Sequence, residues 1–274
     1  MMKGSCMGGS HQRILVFLSL LIKGISYLGA RSCRFVLLCM ALLIPFKSYA
    51  VVNPWKINIG GLYSEGFDDD LNAASNWYML PFSLKYRASF WSVQFSGAYL
   101  ESDGDQKAYS DFGDTQIKVS YLAPSPIFKH WWVDINSKVK IPTAGSNLGT
   151  GELDYWFDID ALRMFSKQGY IQVGGGKKIR GDSVKLKLSD SFYFSSGLGY
   201  QWHERHAAGT VIEYMDAANE WSTEIIELML YGSYRLNTQN TLLLYAIKGF
   251  TESSINYGIG LQLSYRFAGK ATIH

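Results

Sequence analysis

Apolar and polar residues alternating through a dozen segments, connections that sort into long and short, and a basic leader ahead of a chain without long apolar helices predict one fold class. It is all-β: a transmembrane antiparallel up-and-down β-barrel of twelve strands. The last segment carries the pattern most fully. Side chains alternate faces along a strand, so Ile255, Tyr257, Ile259, Leu261, Leu263, Tyr265 and Phe267 share one surface. Asn256, Gly258, Gly260, Gln262, Ser264 and Arg266 share the other. The first surface suits lipid and the second suits water. Its aromatic residues sit towards both ends, as in the girdles of outer-membrane barrels, and Phe267 at its close reads as a signal to the barrel-assembly machinery.

The first fifty residues hold Lys3, Arg13, Lys23, Arg31, Arg34 and Lys47 and no acidic residue, then an apolar core at 35–46 and Ser48-Tyr49-Ala50. This is the pattern of an export signal, with small residues at Ser48 and Ala50 for a peptidase, so 1–50 is expected to be removed and 51–274 to form the barrel. The leader is longer than the usual ~15–30 residues, which a start codon placed too far upstream explains. Neither of its apolar runs, 14–22 and 35–46, reaches the ~20 residues a membrane-spanning helix needs. Cys6, Cys33 and Cys39 all lie in it, so the mature protein is expected to have no disulfide, thiolate ligand or cysteine nucleophile. Removing its six basic residues also turns the whole-chain charge of +3 into −3, which removes the basis for a nucleic-acid partner.

The strands are expected at 54–63, 76–87, 90–100, 113–123, 129–141, 153–165, 170–179, 191–202, 206–215, 223–235, 241–249 and 255–267. In the second, Tyr78, Leu80, Phe82, Leu84 and Tyr86 oppose Pro81, Ser83, Lys85 and Arg87. In the third, Trp91, Val93, Phe95 and Tyr99 oppose Ser92, Gln94 and Ser96. The fifth sets Trp131, Val133, Ile135, Val139 and Ile141 against Asp134, Asn136, Lys138 and Lys140, and the sixth sets Tyr155, Phe157 and Ile159 against Asp154, Asp158 and Asp160. With both termini periplasmic, the external connections are 64–75, 101–112, 142–152, 180–190, 216–222 and 250–254. The periplasmic ones are 88–89, 124–128, 166–169, 203–205 and 236–240, and five of the six external connections are longer than any of these. A soluble sandwich has no reason to sort its loops this way. The tail 268–274 extends past the last strand.

Three stretches carry a family resemblance: Phe112-Gly-Asp-Thr through Tyr121-Leu-Ala-Pro124, then Val139-Lys-Ile-Pro142-Thr143, then Gly149-Thr-Gly151-Glu-Leu-Asp154-Tyr155. A Gly-Asp strand entry, a Lys-x-Pro-Thr strand exit and a Gly-Thr-Gly loop resemble the meta-pathway phenol-degradation family of outer-membrane transporters. The likeness continues loosely to Phe267. It implies an outer-membrane barrel passing small, often aromatic, molecules, and no particular substrate.

Twelve strands fall between eight-stranded barrels filled by side chains and sixteen-stranded porins, so a narrow lumen is expected. Lys138 and Lys140 neighbour Asp154, Asp158 and Asp160 if consecutive strands pair, and Glu213, Glu227, Arg235, Lys248 and Arg266 extend the inward charge to later strands. These residues either brace the wall as ion pairs or set a transverse field across a pore. Trp131, Tyr257, Tyr265 and Phe267 are assigned to the membrane girdle and assembly signal, and Trp132, Trp202 and Trp221 read as interfacial too. Gly174-Gly175-Gly176, Gly197 and Gly199 either clear space in the lumen or let strands bend. Gly174-Gly-Gly-Lys-Lys178 lacks the order of a phosphate-binding loop.

His130, His203 and His206 fall near periplasmic turns, whereas a barrel phospholipase needs its histidine and serine at the outer leaflet. No catalytic residue, metal or cofactor is assigned. Asp68, Asp69, Asp70, Asp103, Asp105 and Asp111 make an acidic external mouth, either solvated or bridged to lipopolysaccharide by divalent ions. The expected function is a passive channel for small, aromatic or hydrophobic solutes in the bacterial outer membrane, contacting lipid and lipopolysaccharide. Two alternatives stand beside it: a structural or adhesive barrel with a filled lumen, and a barrel-embedded lipid hydrolase.

Overall fold

The computed structural model describes residues 54–68, 73–104, 108–123, 130–145, 149–181 and 187–267. The leader with its cysteines and cleavage site, the tail 268–274, and Asp69, Asp70 and Asp105 of the acidic mouth lie outside the described residues. The strands are β1 (Trp55–Asp68), β2 (Ala73–Arg87), β3 (Trp91–Gly104), β4 (Ala108–Phe112), β5 (Thr115–Ala123), β6 (Trp131–Ile141) and β7 (Asp154–Met164). They continue as β8 (Gly169–Ile179), β9 (Ser191–His203), β10 (His206–Met215), β11 (Ile225–Arg235), β12 (Asn240–Gly249) and β13 (Ile255–Arg266). Every pairing is antiparallel between chain neighbours, and β1 closes on β13 from Lys56↔Arg266 to Gly66↔Ile255. The Phe267 N–H donates to the Trp55 carbonyl at 3.1 Å, fastening the seam at the end that carries both termini. Closure leaves no open sheet edge, which a strand structure needs in a medium that cannot hydrogen-bond it.

β4 and β5 are one barrel strand interrupted by a bulge, so thirteen strands make a twelve-stranded barrel. Between Tyr99↔Phe112 and Ser96↔Gln116, β3 advances three residues and its partner four. The extra residue falls at Gly113-Asp114, where the Gly113 N–H donates to the Ala98 carbonyl at 2.8 Å. A bulge re-aims the side chain beside it, and here that side chain is Asp114.

The first two external connections are shorter than the sequence suggests. β1 and β2 run 14 and 15 residues and absorb most of 64–75, while β3 and β4 pair through most of 101–112. About 9–11 tilted residues cross a bilayer, so these hairpins project beyond it. Polar loop residues and ladder residues look alike in sequence once no lipid-facing alternation is required.

The chain is folded inside out relative to a soluble domain. Ile59, Leu80, Phe82, Phe95, Ile159, Phe194, Leu198, Ile212, Leu230, Leu244 and Ile259 point outward and are exposed, whereas the most completely buried large side chains are Asp154, Ser64, Ser102 and Ser191. Aromatic residues cluster at the end carrying the termini. Trp55 meets Tyr86 at 4.9 Å, Tyr86 meets Trp91 at 5.5 Å, and Tyr265 meets Phe267 at 5.1 Å between ring centroids. Apolar belt, aromatic girdle and polar interior together are the pattern of a barrel in the outer membrane.

Candidate functional site

Near the external end of the lumen the three stretches of the family resemblance meet. Lys140, 8 % exposed, turns inward from β6 and opposes Asp154 of β7, 2 % exposed. Its Nζ lies 3.0 Å from Asp154 Oδ2, 3.2 Å from Asp114 Oδ2 and donates to Thr150 Oγ1 at 2.9 Å. Asp114 reaches this point because of the bulge, and its other oxygen accepts from the Ala144 N–H at 3.0 Å. Asp154 also accepts from the Gly181 N–H at 3.1 Å and lies 3.6 Å from Lys178. The Thr115 N–H donates to Thr143 Oγ1 at 2.9 Å. The charges are matched and hydrogen-bonded, as burial demands, and they tie both ends of 142–153 to the wall.

Midway down, pairing loosens. Asn136 Nδ2 donates to Asp158 at 2.6 Å and to Asp160 at 2.8 Å, and Lys118 approaches both carboxylates only at 4.0 and 3.9 Å. Lys138 forms no ion pair among the described residues; it sits over the Trp156 ring, 4.1 Å from its centroid. Glu213 and Glu227 face each other across β10 and β11 with no cation in ion-pair contact among the described residues. A cavity of about 430 Å³ opens between Lys118, Lys138, Trp156, Asp160, Tyr193 and Glu213. A second, about 510 Å³, shares Asp160, Ser195 and Glu213 with it and extends to Arg87 and Trp132. A third, about 490 Å³, lies on the opposite wall at Asn58, Ser83, Gln94 and Gln262.

The inward glycines make room for neighbours. Tyr170 lies over Gly199 and Tyr231 over Gly209, where a Cβ would collide with each ring, and the two hydroxyls meet at 2.5 Å across β9 and β10. Tyr245 covers Gly260 in the same way, and the Asp160 carboxylate occupies the space a Cβ on Gly174 would need. These glycines therefore let large side chains lie flat against the wall and keep the lumen open.

Lys138, Lys140, Asp154, Asp158, Asp160, Glu213, Glu227 and Arg266 all lie on inward-facing rows of the ladder. Arg235 shares that face at the rim carrying the termini, paired with Thr241. Lys248 does not: it pairs with Leu228 and Tyr257 on the outward face, and its Nζ donates to the Asn256 carbonyl at 2.9 Å. It lies beyond the strand's lipid-facing centre, where the alternation no longer forces an apolar residue outward. Trp132 is also reassigned. It pairs with Leu162 on the inward face and lines the second cavity, while Trp131 stays outward beside Arg163. Trp202 is outward, and Tyr257 donates to Glu65 near the external end.

Asp114, Lys118, Trp156, Lys178 and Lys56 were not singled out as lumen residues from sequence, and Asp134, Lys85 and Arg266, placed inward, were not joined into rows. Period-two alternation on each segment could have placed every one of them inward. Only the register between strands shows which of them adjoin.

An outer-membrane channel of Pseudomonas putida F1 has a similar structure, with a TM-score of 0.67 over 82% of this chain and 99% of that one at 11% sequence identity. The KdgM porin matches with a TM-score of 0.52 over 77% of this chain and 99% of that one at 8% identity, and a second structure of it is in complex with disordered oligogalacturonate. At such identities the likeness establishes the barrel fold. No protein-family model and no curated protein sequence matches the chain.

Proposed function

We propose that the protein is a passive, non-enzymatic channel for small solutes in the bacterial outer membrane. The observation that carries this reading is the unfilled, charge-lined interior: cavities of about 430 and 510 Å³ share lining residues along the lumen, where Lys118 reaches Asp158 and Asp160 only at 4.0 and 3.9 Å and Lys138, Glu213 and Glu227 make no ion pair among the described residues. A wall built only for stability would pair those charges, because unpaired inward charge is costly. Both structural neighbours described above are pores by name. Outer-membrane lipid and lipopolysaccharide would surround the barrel, and the assembly machinery would read Tyr265 and Phe267 on its last strand.

Membership of the meta-pathway phenol-degradation family belongs to the same proposal. Of the residues that carry that resemblance, Asp114, Lys140, Thr150 and Asp154 converge on one cluster, and Thr143 bonds to Thr115 beside it, so that both fix a connection at the external mouth. Aromatic solutes are the class that membership suggests.

Reconstitution into planar bilayers tests the channel: stepwise conductance is expected, with swelling of liposomes in small neutral and aromatic solutes. A folded barrel that neither conducts nor admits solute leaves the second reading, a structural or adhesive barrel. The tight Lys140 cluster favours that reading locally, and Lys138 and Glu213, without an ion pair among the described residues, argue against it.

A further inference from the structure

Rows of side chains that run across the strands, along the hydrogen-bond direction, gather like charges over parts of this barrel. One row reads Arg266 on β13, Lys56 on β1, Lys85 on β2, Gln94 on β3, Lys118 on β5, Lys138 on β6, Trp156 on β7 and Lys178 on β8. Six of these eight positions are cationic, each directly opposite the next in register. Arg266 is the last residue of β13, at the rim carrying the termini, and Lys178 is the penultimate residue of β8, at the external rim. The row therefore winds from one mouth to the other. Seven strand spacings of about 4.8 Å make a path of about 34 Å, inclined because barrel strands tilt.

A second row, Asp134, Asp160, Gly174, Ser195, Glu213 and Glu227, climbs across β6 to β11, separated from the first by the row of Asn136, Asp158 and Gly176. A third, Ser264, Asn58, Ser83, Ser96 and Gln116, is uncharged until it reaches Lys140 and Asp154, with Ser264 donating to Asn58 at 2.7 Å and Asn58 to Ser83 at 2.8 Å.

We infer that the basic row is a binding path for small organic dicarboxylates. This rests on the channel reading alone and names a solute class different from the aromatic one that family membership suggests. Like charges directly opposite on neighbouring strands destabilise a sheet. Arg266, Lys56 and Lys85 nevertheless stand side by side on three adjacent strands, with no carboxylate in ion-pair contact among the described residues. Such an arrangement lowers the stability of the empty barrel and is relieved by an anion from outside. Arg266 to Lys56, Lys56 to Lys85 and Lys118 to Lys138 are each one strand spacing, which matches two carboxylates joined by a two-carbon chain, while Gln94 and Trp156 each stand within a step of two spacings. Trp156 interrupts the charge without breaking the path. Lys138 and Lys178 lie 4.1 and 4.7 Å from its ring centroid, one on each neighbouring strand.

The probe is succinate and the variant is K56Q/K85Q/R266Q, which removes mutual repulsion and is expected to fold at least as well as wild type. K248Q removes a cation from the outer face and serves as control. Isothermal titration of the detergent-solubilised barrel should show succinate binding weakened about tenfold or more in the triple variant, and unchanged in K248Q. In bilayers under a potassium chloride gradient, the triple variant should shift the reversal potential towards potassium. Equal succinate affinity in wild type and triple variant overturns the inference, as does equal loss in K248Q. A barrel that binds succinate through this row yet does not conduct overturns the channel reading alone. A conducting barrel indifferent to succinate and to the triple change overturns the row alone.

Discussion

Replacing Lys140 by methionine tests whether the external cluster is a buried electrostatic support. The substitution keeps the length and apolar stem of the side chain and removes only its charge. Asp154 would retain Lys178 at 3.6 Å and the Gly181 N–H at 3.1 Å, and Asp114 the Ala144 N–H at 3.0 Å. Removing one member of a buried ion pair typically costs about 3–5 kcal/mol because its partner stays charged and desolvated. The surviving partners put this case at the low end, about 3 kcal/mol.

Lys118→Met supplies the contrast. Its side chain is 34% exposed, its contacts are 3.9 and 4.0 Å long, and the Asp160 side chain is 52% exposed, so solvent screening holds the expected loss to about 0.5 kcal/mol. Equilibrium urea unfolding in lipid–detergent micelles reads both. A double-mutant cycle of Lys140→Met with Asp154→Asn should give a coupling of about 2 kcal/mol. Limited proteolysis should cut 142–153 faster in Lys140→Met, since the Thr150 tether at 2.9 Å is gone. Stability within about 0.5 kcal/mol of wild type, or fully additive single changes, refutes the reasoning.

Gly199→Ala places a methyl where the Tyr170 ring lies, with an expected loss of about 2 kcal/mol; Tyr170→Phe should lose only about 1 kcal/mol, the hydroxyl bond to Tyr231. Unfolding midpoints decide between them, and an unchanged Gly199→Ala would mean the ring has another place to sit. Neutralising Glu213 and Glu227 to glutamine should raise chloride over potassium selectivity in reversal-potential measurements, because both face the lumen on adjacent strands. No shift would remove the acidic row from the permeation path. Phe267→Ala should lower the folded, heat-modifiable fraction recovered from outer membranes, and normal levels would dismiss its role in assembly. Mass spectrometry of the purified protein should find Val51 at the amino terminus; any other start relocates the leader boundary.

Much of the wall was legible residue by residue. Alternation alone put Ile255 to Phe267 on the lipid side, and Lys138, Lys140, Asp154 and Asp158 on the inner side, because a strand's side-chain period is two. The period fails as a guide where lipid no longer enforces it. Lys248 falls outside on that account, and 64–68, 73–75, 101–104 and 108–112 belong to strands although they read as loop. The bulge at Gly113-Asp114 was equally hidden: one extra residue in a ladder is defined by the partner strand, here β3, and leaves no composition of its own. Asp114 therefore came to light as a partner of Lys140 only through structure.

The sequence by itself determined the class of molecule: a closed barrel, greasy outside and polar inside, with its last strand ready to seal the seam. That information is local, written in each segment's own alternation and in the lengths between segments. Tertiary structure decided which inward residues are neighbours. Register links Arg266 to Lys56 and Lys85, residues far apart in the chain, and sets a basic row and an acidic one on the same wall. A shift of two residues in any one pairing would keep every side chain on its proper face, so alternation cannot select among such registers. At β6–β7 or β7–β8 it would nevertheless break both rows, and at any other pairing that a row crosses it would break that row, and with it the charged path that gives this lumen its character.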